Sequence, residues 1–440
     1  MMKKRVLTGI TTTGIPHLGN YAGAIRPAVE ASQQEGVDAF YFLADYHALV
    51  KCEDAERVIR SRLQIAATWL AAGLDPEQVT FYRQSDIVEI PELCWLLTCL
   101  TPKGLMNRAH AYKASVDANL EKGLEPDDGV NMGLFSYPIL MAADILIFKA
   151  NQVPVGRDQI QHLEMARDIA QRFNHMYGQG QEVFIAPYEQ IADHVATLPG
   201  LDGRKMSKSY DNTIPLFEGG EEGLRQAIQR IVTDSRAPGE PKEPEGTTLF
   251  TLFQAFASAE ESASFAQELR QGLGWGAAKD RLFELVNEQL APMRERYQEL
   301  VARPDQIEEI LRHGAEKARR ITAPFMAEIR AAVGLRPATL ADLSATGDTT
   351  QQDSQKEARW VSFKEGDAFY IRLLDPAEHS VFLSRPFGSP QEMGQAMRAL
   401  RAGAFELEPQ PEGHLLRVEG QVVAQLSAEQ LAQFQALVQG

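Results

Sequence analysis

The chain has 440 residues, more than one hydrophobic core usually supports, so two or three domains are expected. Its apolar fraction of 44% and charged fraction of 24% are typical of a globular protein and exclude disorder throughout. The formal net charge of -16 argues against non-specific attachment to nucleic acid, because phosphate binding depends on clustered Lys and Arg side chains. No stretch approaches the roughly 20 apolar residues that cross a bilayer, and the N-terminal apolar run is too short for a signal peptide, so a cytoplasmic protein is expected.

The first half of the sequence alternates short apolar runs with amphipathic stretches, which predicts βαβ units and a parallel sheet covered by helices. The runs, each followed by its amphipathic stretch, are 5–10 and 20–35, 39–44 and 55–72, and 79–83 and 90–100. A Rossmann-like doubly wound α/β fold is the leading interpretation, with a catalytic domain over residues 1–217. Such sheets bind ligands at the carboxyl ends of their strands, so chemistry is expected just after Ile10 and Ala44.

The second half predicts two further domains. Residues 218–335 have apolar residues at helical spacing, as in Leu224, Ile228 and Ile231, which indicates an α-helical domain from which the chain can return to the catalytic domain near its end. Residues 336–358 are rich in Pro, Thr, Asp, Gln and Ser and predict a linker. Short strands at 360–363, 368–374 and 380–384 and a helix at 390–402, in a pattern that partly repeats, predict a small α+β module over residues 359–440.

The first candidate motif is the segment 11–20, TTTGIPHLGN, between the first predicted strand and the first predicted helix. Gly14 and Gly19 let the backbone approach a ligand closely, and a helix beginning near Asn20 offers free amide groups and a positive dipole to a phosphate. On its own, a glycine-bearing turn of this kind is weak evidence for a nucleotide site.

The second candidate motif is KMSKS at residues 205–209, preceded by a flexible approach that includes Gly200 and Gly203. Two lysines three residues apart, Lys205 and Lys208, suit a pyrophosphate leaving group, because its developing negative charge needs cations and donors. As an isolated pentapeptide the motif is equally consistent with a solvated basic loop.

In this order, with βαβ segments between them, the two motifs resemble the HIGH and KMSKS sequences of class I aminoacyl-tRNA synthetases. The intervening sequence extends the similarity to one family, the bacterial tryptophanyl-tRNA synthetases, through LADYHA at 43–48, YPILMAADIL at 137–146 and VPVGRDQIQH at 153–162. The resemblance runs from about residue 5 to residue 335, including TDS at 233–235 and GAEKA at 314–318. It implies a Rossmann-like catalytic domain, a helical tRNA- and anticodon-binding domain, and a homodimer.

The resemblance implies a tryptophan pocket. On a helix, Tyr137, Met141 and Asp144 lie on one face at spacings of four and three. An indole offers a single N–H donor, so a buried Asp144 selects tryptophan over phenylalanine, which would leave the carboxylate unpaired at a cost of about 1–3 kcal/mol. Tyr137 and Gln159 are implied for the substrate's amino group. The implied walls of the pocket are Met141, Leu7, His47, Val153 and Val155.

The resemblance also implies an ATP site across the first motif. The implied contacts are Thr11, Thr12 and Thr13 at the strand end, Gly19 and Asn20 at the phosphates, Gly156, Arg157 and Asp158 at the ribose and adenine, Val195, and the loop residues Lys205, Met206, Ser207, Lys208 and Ser209. Catalytic roles are assigned to Lys205, Lys208, His17 and Asn20. The tryptophan carboxylate attacks the α-phosphorus to give an adenylate and pyrophosphate, so the protein positions substrates and neutralises charge. The terminal ribose hydroxyl of tRNA(Trp) then attacks the adenylate carbonyl.

Little cofactor chemistry is expected beyond ATP as a substrate. Mg²⁺ is expected as a counterion carried by the nucleotide, without a dedicated protein site. Some relatives hold an iron–sulfur cluster with four cysteines, which Cys52, Cys94 and Cys99 cannot reproduce, so no cluster is expected. Where the family often has Gln-Pro-Ser or Gln-Pro-Thr after the first strand, this chain has three threonines at 11–13, so only backbone contacts with ATP carry over there.

Three alternative functions stay open from the sequence. A tyrosyl-tRNA synthetase shares the fold, but segments 137–146 and 153–162 resemble tryptophan enzymes better. A cofactor-forming adenylyltransferase shares the first motif and a phosphate-handling loop, but usually lacks a large helical domain. A non-charging paralogue that binds tryptophan or tRNA for regulation is disfavoured by the intact Lys205 and Lys208.

Two further surfaces are candidates for macromolecular contacts. A tRNA needs a local basic surface on this acidic chain. One candidate surface consists of Arg312, His313, Lys317, Arg319 and Arg320. Residues 363–393 loosely resemble small bacterial ββα modules of uncharacterised function, and the C-terminal module could touch tRNA, assist dimerisation or bind another protein.

Overall fold

The structure is a computed structural model that describes residues 4–12, 14–156, 159–191, 198–339, 358–377, 379–411 and 413–438. The chain divides into two compact units, unit 1 over residues 1–336 and unit 2 over residues 337–440. None of the helices in these described ranges is long and apolar enough to cross a membrane.

Unit 1 alternates strands and helices in its first half and is helical afterwards. Its strands are β1 (Lys4–Thr11), β2 (Val37–Ala44), β3 (Thr80–Arg83), β4 (Gln152–Val155) and β5 (Tyr188–Ile191). Its α-helices are α1 (Leu18–Asn20), α2 (Arg26–Ser32), α3 (Asp45–Ala48), α4 (Ala55–Ala71), α5 (Glu89–Leu100), α6 (Lys103–Met106), α7 (His110–Glu121), α8 (Met132–Leu146), α9 (Ile160–Tyr177), α10 (Gly220–Gln229), α11 (Thr248–Gln254), α12 (Ala259–Arg270), α13 (Trp275–Val301) and α14 (Pro304–Ala332). A π-helical turn (Tyr21–Ile25) joins α1 to α2, and 3₁₀ turns lie at Gln84–Asp86 and Lys208–Tyr210.

The five strands of unit 1 form one parallel sheet in the order β3-β2-β1-β4-β5. The order reverses at β1, so the carboxyl end of this strand is the switch point at which doubly wound folds bind ligands. The interior strand β2 is buried on both faces: Tyr41 and Leu43 belong to one core, and Phe40 and Phe42 belong to the other. In a parallel sheet that helices cover on both faces, the strands are buried on both sides, so their sequences are almost continuously apolar. The predicted Rossmann-like fold is therefore confirmed.

The helical second half does not separate from the sheet as a compact unit of its own. Helix α13 packs on α4 and α10, and the long α14 returns to pack on edge strand β3. Along α14, Leu311 belongs to one core of the sheet and Phe325 to the other. The division of unit 1 into a catalytic domain (1–217) and a helical domain (218–335) thus remains a functional prediction.

The contact between α14 and β3 requires a glycine. A Cβ added at Gly314 would lie 1.6 Å from the carbonyl oxygen of Phe81, a backbone atom that has no room to move. Helix α14 therefore approaches the backbone of β3 more closely than any residue with a side chain would allow.

Unit 2 consists of two similar halves, each with three antiparallel strands followed by a helix. The first half comprises β6 (Arg359–Glu365), β7 (Ala368–Leu374), β8 (Ser380–Leu383) and α15 (Pro390–Arg401), and the second comprises β9 (Glu406–Gln410), β10 (Gly413–Val418), β11 (Gln421–Leu426) and α16 (Ala428–Val438). The predicted α+β module and its partial repeat are confirmed. The predicted linker, residues 336–358, lies mostly outside the described residues.

Replacing Gly314 with alanine should destabilise unit 1 by at least about 3 kcal/mol, because the methyl group would overlap the Phe81 carbonyl. Gly276→Ala, on the exposed side of α13 where an added Cβ meets nothing within 4 Å, should change stability by no more than about 0.5 kcal/mol. Thermal unfolding of both variants measures the difference. Similar melting temperatures for the two variants would contradict the close contact between α14 and β3.

Candidate active site

The turn after β1 is fixed by a reciprocal cap between two residues of the first motif. His17 is the N-cap of α1: its Nδ1 accepts a hydrogen bond from the Asn20 backbone N–H at 3.2 Å. In return, Asn20 Oδ1 accepts from the His17 backbone N–H at 3.0 Å. The helix therefore begins at Leu18, two residues before the predicted start near Asn20, and Asn20 lies in its first turn.

The KMSKS loop lies against this turn. Met206 is buried, and its Sδ accepts from the Gly19 backbone N–H at 3.3 Å. Gly14 has φ +85°, and a Cβ built there would lie 2.5 Å from Lys208 Nζ. The positive φ of Gly14 favours glycine there, and the second motif approaches both glycines of the first closely. The structure brings the two predicted motifs together although about 190 residues separate them in the sequence.

Burial and charge shift the pKa values of two groups at this junction. Burial, with a smaller contribution from the Lys208 charge, lowers the pKa of His17 from 6.5 to about 4. Burial also lowers the pKa of Lys208; the Glu218 carboxylate opposes this shift and the Arg57 guanidinium adds to it. His17 is therefore a neutral cap at pH 7 whose Nδ1 is an acceptor, and a neutral imidazole does not repel the neighbouring ammonium group.

Asn212 organises the approach to the KMSKS loop. Its side chain is buried, its Oδ1 accepts from the Ser207 backbone N–H at 2.8 Å, and its Nδ2 donates to Asp202 Oδ1 at 2.7 Å and to the Lys205 carbonyl at 3.2 Å. Lys205 itself is exposed. Asn212, which lies outside the motif, thus holds the loop on either side of Met206.

A buried carboxylate lies at the carboxyl ends of β2 and β3. Asp144, on α8, is 1% exposed. Its Oδ2 is 2.9 Å from His47 Nε2, and its two oxygens accept from Gln84 Nε2 at 2.7 and 2.9 Å. Burial raises the pKa of Asp144, whereas the hydrogen bonds from His47 and Gln84 oppose that rise.

A second polar chain follows beside Asp144. Tyr137 Oη lies 2.8 Å from His162 Nε2, and His162 Nδ1 lies 2.9 Å from Gln159 Oε1. Because the amide oxygen only accepts, His162 carries its proton on Nδ1 and accepts the Tyr137 hydroxyl proton at Nε2. The rings of Tyr137 and His47 are 6.1 Å apart, edge to face, so this chain adjoins the Asp144 cluster.

The remaining predicted site residues are distributed around these two clusters. Leu7 and Val153 are buried on the sheet face that α8 covers, and Met141 and Val155 are partly buried against the same core. Thr11 is exposed at the end of β1, Thr12 is buried beside the Ala44 carbonyl, and Gly156 follows β4. Thr13, Arg157, Asp158 and Val195 lie outside the described residues, as does the side chain of Ser209.

The structure gives several cations of the candidate basic surface on α14 partners within unit 1. Arg312 pairs with Glu309 and Glu316 of the same helix. Lys317 donates to the Pro76 carbonyl and Arg319 pairs with the buried Glu89, so both side chains attach α14 to the rest of unit 1. Lys317 and Arg319 therefore contribute to the packing of α14, whereas Arg312 and Arg320 are exposed, and a tRNA-binding surface here stays a prediction.

Sequence reasoning missed Gln84 and Asn212 and gave no separate role to His162. Gln84 could have been found, because it is a polar residue directly after a buried strand, at the sheet edge where site residues gather. His162 follows Gln159 at helical spacing. The role of Asn212 depends on a fold-back of the loop that no local pattern announces.

The site has the parts of a class I aminoacyl-tRNA synthetase: a switch point at β1, a glycine-bearing turn that caps the following helix, and a lysine loop lying on that turn. Residues 2–291 match the family described as tRNA synthetases class I (W and Y), and the chain belongs to that family. This confirms the resemblance that the motifs predicted.

Similar proteins include several tryptophan–tRNA ligases. A tryptophan–tRNA ligase of Bordetella parapertussis is 64% identical over 406 residues, which cover 92% of this chain and 89% of that protein. One from Pseudomonas aeruginosa is 60% identical, with 97% of this chain and 95% of the relative covered, so the match includes unit 2. The crystal structure of tryptophanyl-tRNA synthetase from Campylobacter jejuni complexed with ADP and tryptophan has a TM-score of 0.68 and 42% identity, over 75% of this chain and 100% of that one.

The low pKa of His17 predicts a specific titration. In an NMR titration its ring should change protonation near pH 4, and Lys208→Gln should raise that midpoint because a neighbouring positive charge is removed. A folded-state pKa below 6.5 means that the contribution of His17 to folding stability is complete above about pH 6.5 and is lost as the pH falls toward 4.

The matched control is Lys205→Gln, which removes a positive charge from the same loop at a residue that does not affect the His17 pKa. This variant should leave the midpoint unchanged. A wild-type midpoint near 6.5, or equal shifts in the two variants, would contradict the contact between His17 and Lys208.

Proposed function

We infer that this chain is a tryptophan–tRNA ligase. It activates L-tryptophan with ATP to tryptophanyl-adenylate and pyrophosphate, and then transfers tryptophan to the 3′ end of tRNA(Trp) in translation. Two features at the carboxyl ends of the parallel strands carry this function in the geometry: the buried Asp144 carboxylate at β2 and β3, and the lysine-bearing loop on the turn after β1. The family membership and the curated relatives of 60–64% identity support the same function.

The amino-acid pocket is proposed around Asp144. Each carboxylate oxygen has two lone pairs, so the bonds from His47 and Gln84 leave capacity for one further donor. The indole N–H supplies that donor, and phenylalanine does not. Tyr137 and Gln159 are proposed for the substrate's amino group. The proposed apolar walls are Leu7, Met141, Val153 and Val155, with the His47 ring beside them.

The ATP site is proposed between the two motifs. The phosphates are proposed to lie near Gly19 and Asn20, at the turn that His17 caps. Lys208 over Gly14, and Lys205 on the exposed side of the same loop, neutralise the charge that develops on the pyrophosphate. The tryptophan carboxylate is the nucleophile, so no protein base is needed, and Mg²⁺ enters with the nucleotide.

The cellular location of the protein and its binding of tRNA(Trp) are also proposals. We propose that the helices after Phe217 bind the tRNA. These helices belong to the same compact unit as the sheet. The free thiols Cys52, Cys94 and Cys99 suit a reducing compartment, and we propose the cytoplasm.

A homodimer is proposed through α5. Val88, Pro91, Trp95 and Cys99 are exposed along one stripe of this helix although the opposite stripe is buried. Trp95 is 67% exposed, which is unusual for the largest apolar side chain and typical of an interface anchor. The function of unit 2 is left as the three alternatives stated above: tRNA contact, dimer support or another protein partner.

Activation should be specific for tryptophan. Amino-acid-dependent ATP–pyrophosphate exchange across the twenty amino acids reads the first step without tRNA, and exchange with tryptophan alone is expected. Exchange with tyrosine would move the chain to the other branch of its family. No exchange with any amino acid would favour the non-charging paralogue.

Two variants should separate the pocket from the phosphate loop. Asp144→Ala should lower kcat/KM for tryptophan by about 10- to 100-fold or more while the KM for ATP stays close to wild type. Lys208→Ala should lower kcat for exchange by about 100-fold or more with tryptophan binding largely kept. Steady-state exchange kinetics and tryptophan titration measure both. Equal losses of both activities in both variants would refute these roles.

The dimer should depend on Trp95. Trp95→Glu places a charge in the exposed stripe of α5 and should shift the mass measured by light scattering from two chains to one. Leu120→Glu, at a 55% exposed leucine on α7, is the matched control and should stay dimeric. A monomeric wild-type protein would rule out the proposal.

A further inference from the structure

Gln84 is a fully buried polar residue that the proposed reaction does not use directly. It begins the 3₁₀ turn at the carboxyl end of β3 and is 0% exposed. Its Nε2 donates to both oxygens of Asp144, and its Oε1 accepts from the Tyr46 backbone N–H at 3.0 Å. Every polar atom of this side chain is therefore committed inside the protein.

The Tyr46 amide fixes which way the Gln84 amide points. A backbone N–H only donates, so it selects the Gln84 oxygen and leaves the Nε2 group facing Asp144. A flipped amide would place Nε2 against the Tyr46 N–H and the amide oxygen against the Asp144 carboxylate, with all three hydrogen bonds lost. The donor that Asp144 meets is thus determined by the backbone at the start of α3.

The neighbouring residue attaches the same turn to α3 a second time. The Ser85 backbone N–H and Oγ donate to the buried Asp45 at 3.0 and 2.6 Å, and Arg62 pairs with Asp45 at 3.1 Å. Helix α3 also carries His47, the other donor to Asp144. Both donors to Asp144 therefore belong to one rigid framework made of the ends of β2 and β3.

We propose that Gln84 is a positioning residue for substrate specificity: it holds Asp144 as an ionised, oriented acceptor, so that the pocket selects substrates with a ring N–H donor. This inference rests on the proposed function, because it assumes that Asp144 reads the indole. A protonated Asp144 would present an O–H donor against the indole N–H, and selection would be lost. A tilted Asp144 would still be charged but would misdirect its free lone pair.

The surroundings of Asp144 make this assistance necessary. The titratable groups that face it are His47 and Asp45 from α3, Tyr82 from β3 and Cys94 from α5. Burial raises the pKa of Tyr82 well above 10 and that of Cys94 to about 11, so both side chains are neutral at pH 7. Asp45 repels the Asp144 charge, and burial favours its neutral form. The donors His47 and Gln84 oppose both effects.

The test compares two substrates in the full-length enzyme by ATP–pyrophosphate exchange: tryptophan, and the analogue β-(3-benzothienyl)alanine, in which sulfur replaces the ring N–H. Gln84→Leu should lower kcat/KM for tryptophan by about 10- to 100-fold, mainly through KM, and should affect the analogue much less. The KM for ATP should stay within about twofold of wild type, which also reports that the site has folded. Asp144→Ala is the reference for complete loss of N–H selection.

A second variant tests ionisation and avoids the volume change of leucine. Gln84→Glu keeps an oxygen for the Tyr46 amide but places a carboxyl group against Asp144. At low pH the introduced carboxyl group is protonated and donates as the amide does, so kcat/KM for tryptophan should be near wild type and should fall as the pH rises. Gln84→Leu should show no such fall relative to wild type.

The outcomes distinguish this inference from the proposed function. If the Gln84 variants lost the same factor in kcat/KM for both substrates, and only Asp144→Ala lost the preference for the ring N–H, the proposed role of Gln84 would be wrong. The proposed function of the enzyme would stand. If Asp144→Ala kept the wild-type preference for tryptophan over the analogue, the proposal that this carboxylate accepts from the indole N–H would be wrong. If kcat/KM of Gln84→Glu changed with pH in the same way as that of the wild type, Gln84 would not control the ionisation of Asp144.

Discussion

A carboxylate buried against a helix-covered sheet must be surrounded by donors, and in this protein that requirement joins three separate elements. Asp144 comes from α8, and its donors come from the residues that follow β2 and β3. An unpaired buried charge would cost several kcal/mol, so the ends of the two strands and the helix cannot be moved independently. The geometry of the pocket is thus a consequence of satisfying one group.

The opposite end of the site follows a different rule. Lys208 lies over Gly14, and among the described residues neither it nor Lys205 makes an ion pair. Their positions are set by neutral contacts instead: the Met206 sulfur on the Gly19 amide, and the Asn212 amide across the loop. A loop held by neutral groups keeps its cations available for a phosphate, whereas a loop held by carboxylates would have them neutralised in advance.

The sequence predicts those parts of the fold that depend on local periodicity. Two-sided apolar strands such as β2 identify the parallel sheet, and the repeating strand pattern identifies unit 2. The cap between His17 and Asn20 could also have been predicted, because the residues are three apart as in a capping box. Gln84 and Asp144 are 60 residues apart, however, and only the assembled sheet shows that one needs the other. The same limit explains two basic residues of α14, Lys317 and Arg319: their carboxylate partners Glu77 and Glu89 lie on distant segments.

Unit 2 shows how a small repeat becomes one domain. Helix α15 of the first half contacts β10 of the second as well as its own β7, and α16 contacts β8 of the first half as well as β10 and β11. At the centre, Phe434 of α16 packs edge-on against Trp360 and Phe382 of the first half and against Phe405. A half of about 40 residues is too small to bury a sufficient core alone, and this exchange of helices supplies what each half lacks. Loss of either half would therefore expose the core of the other.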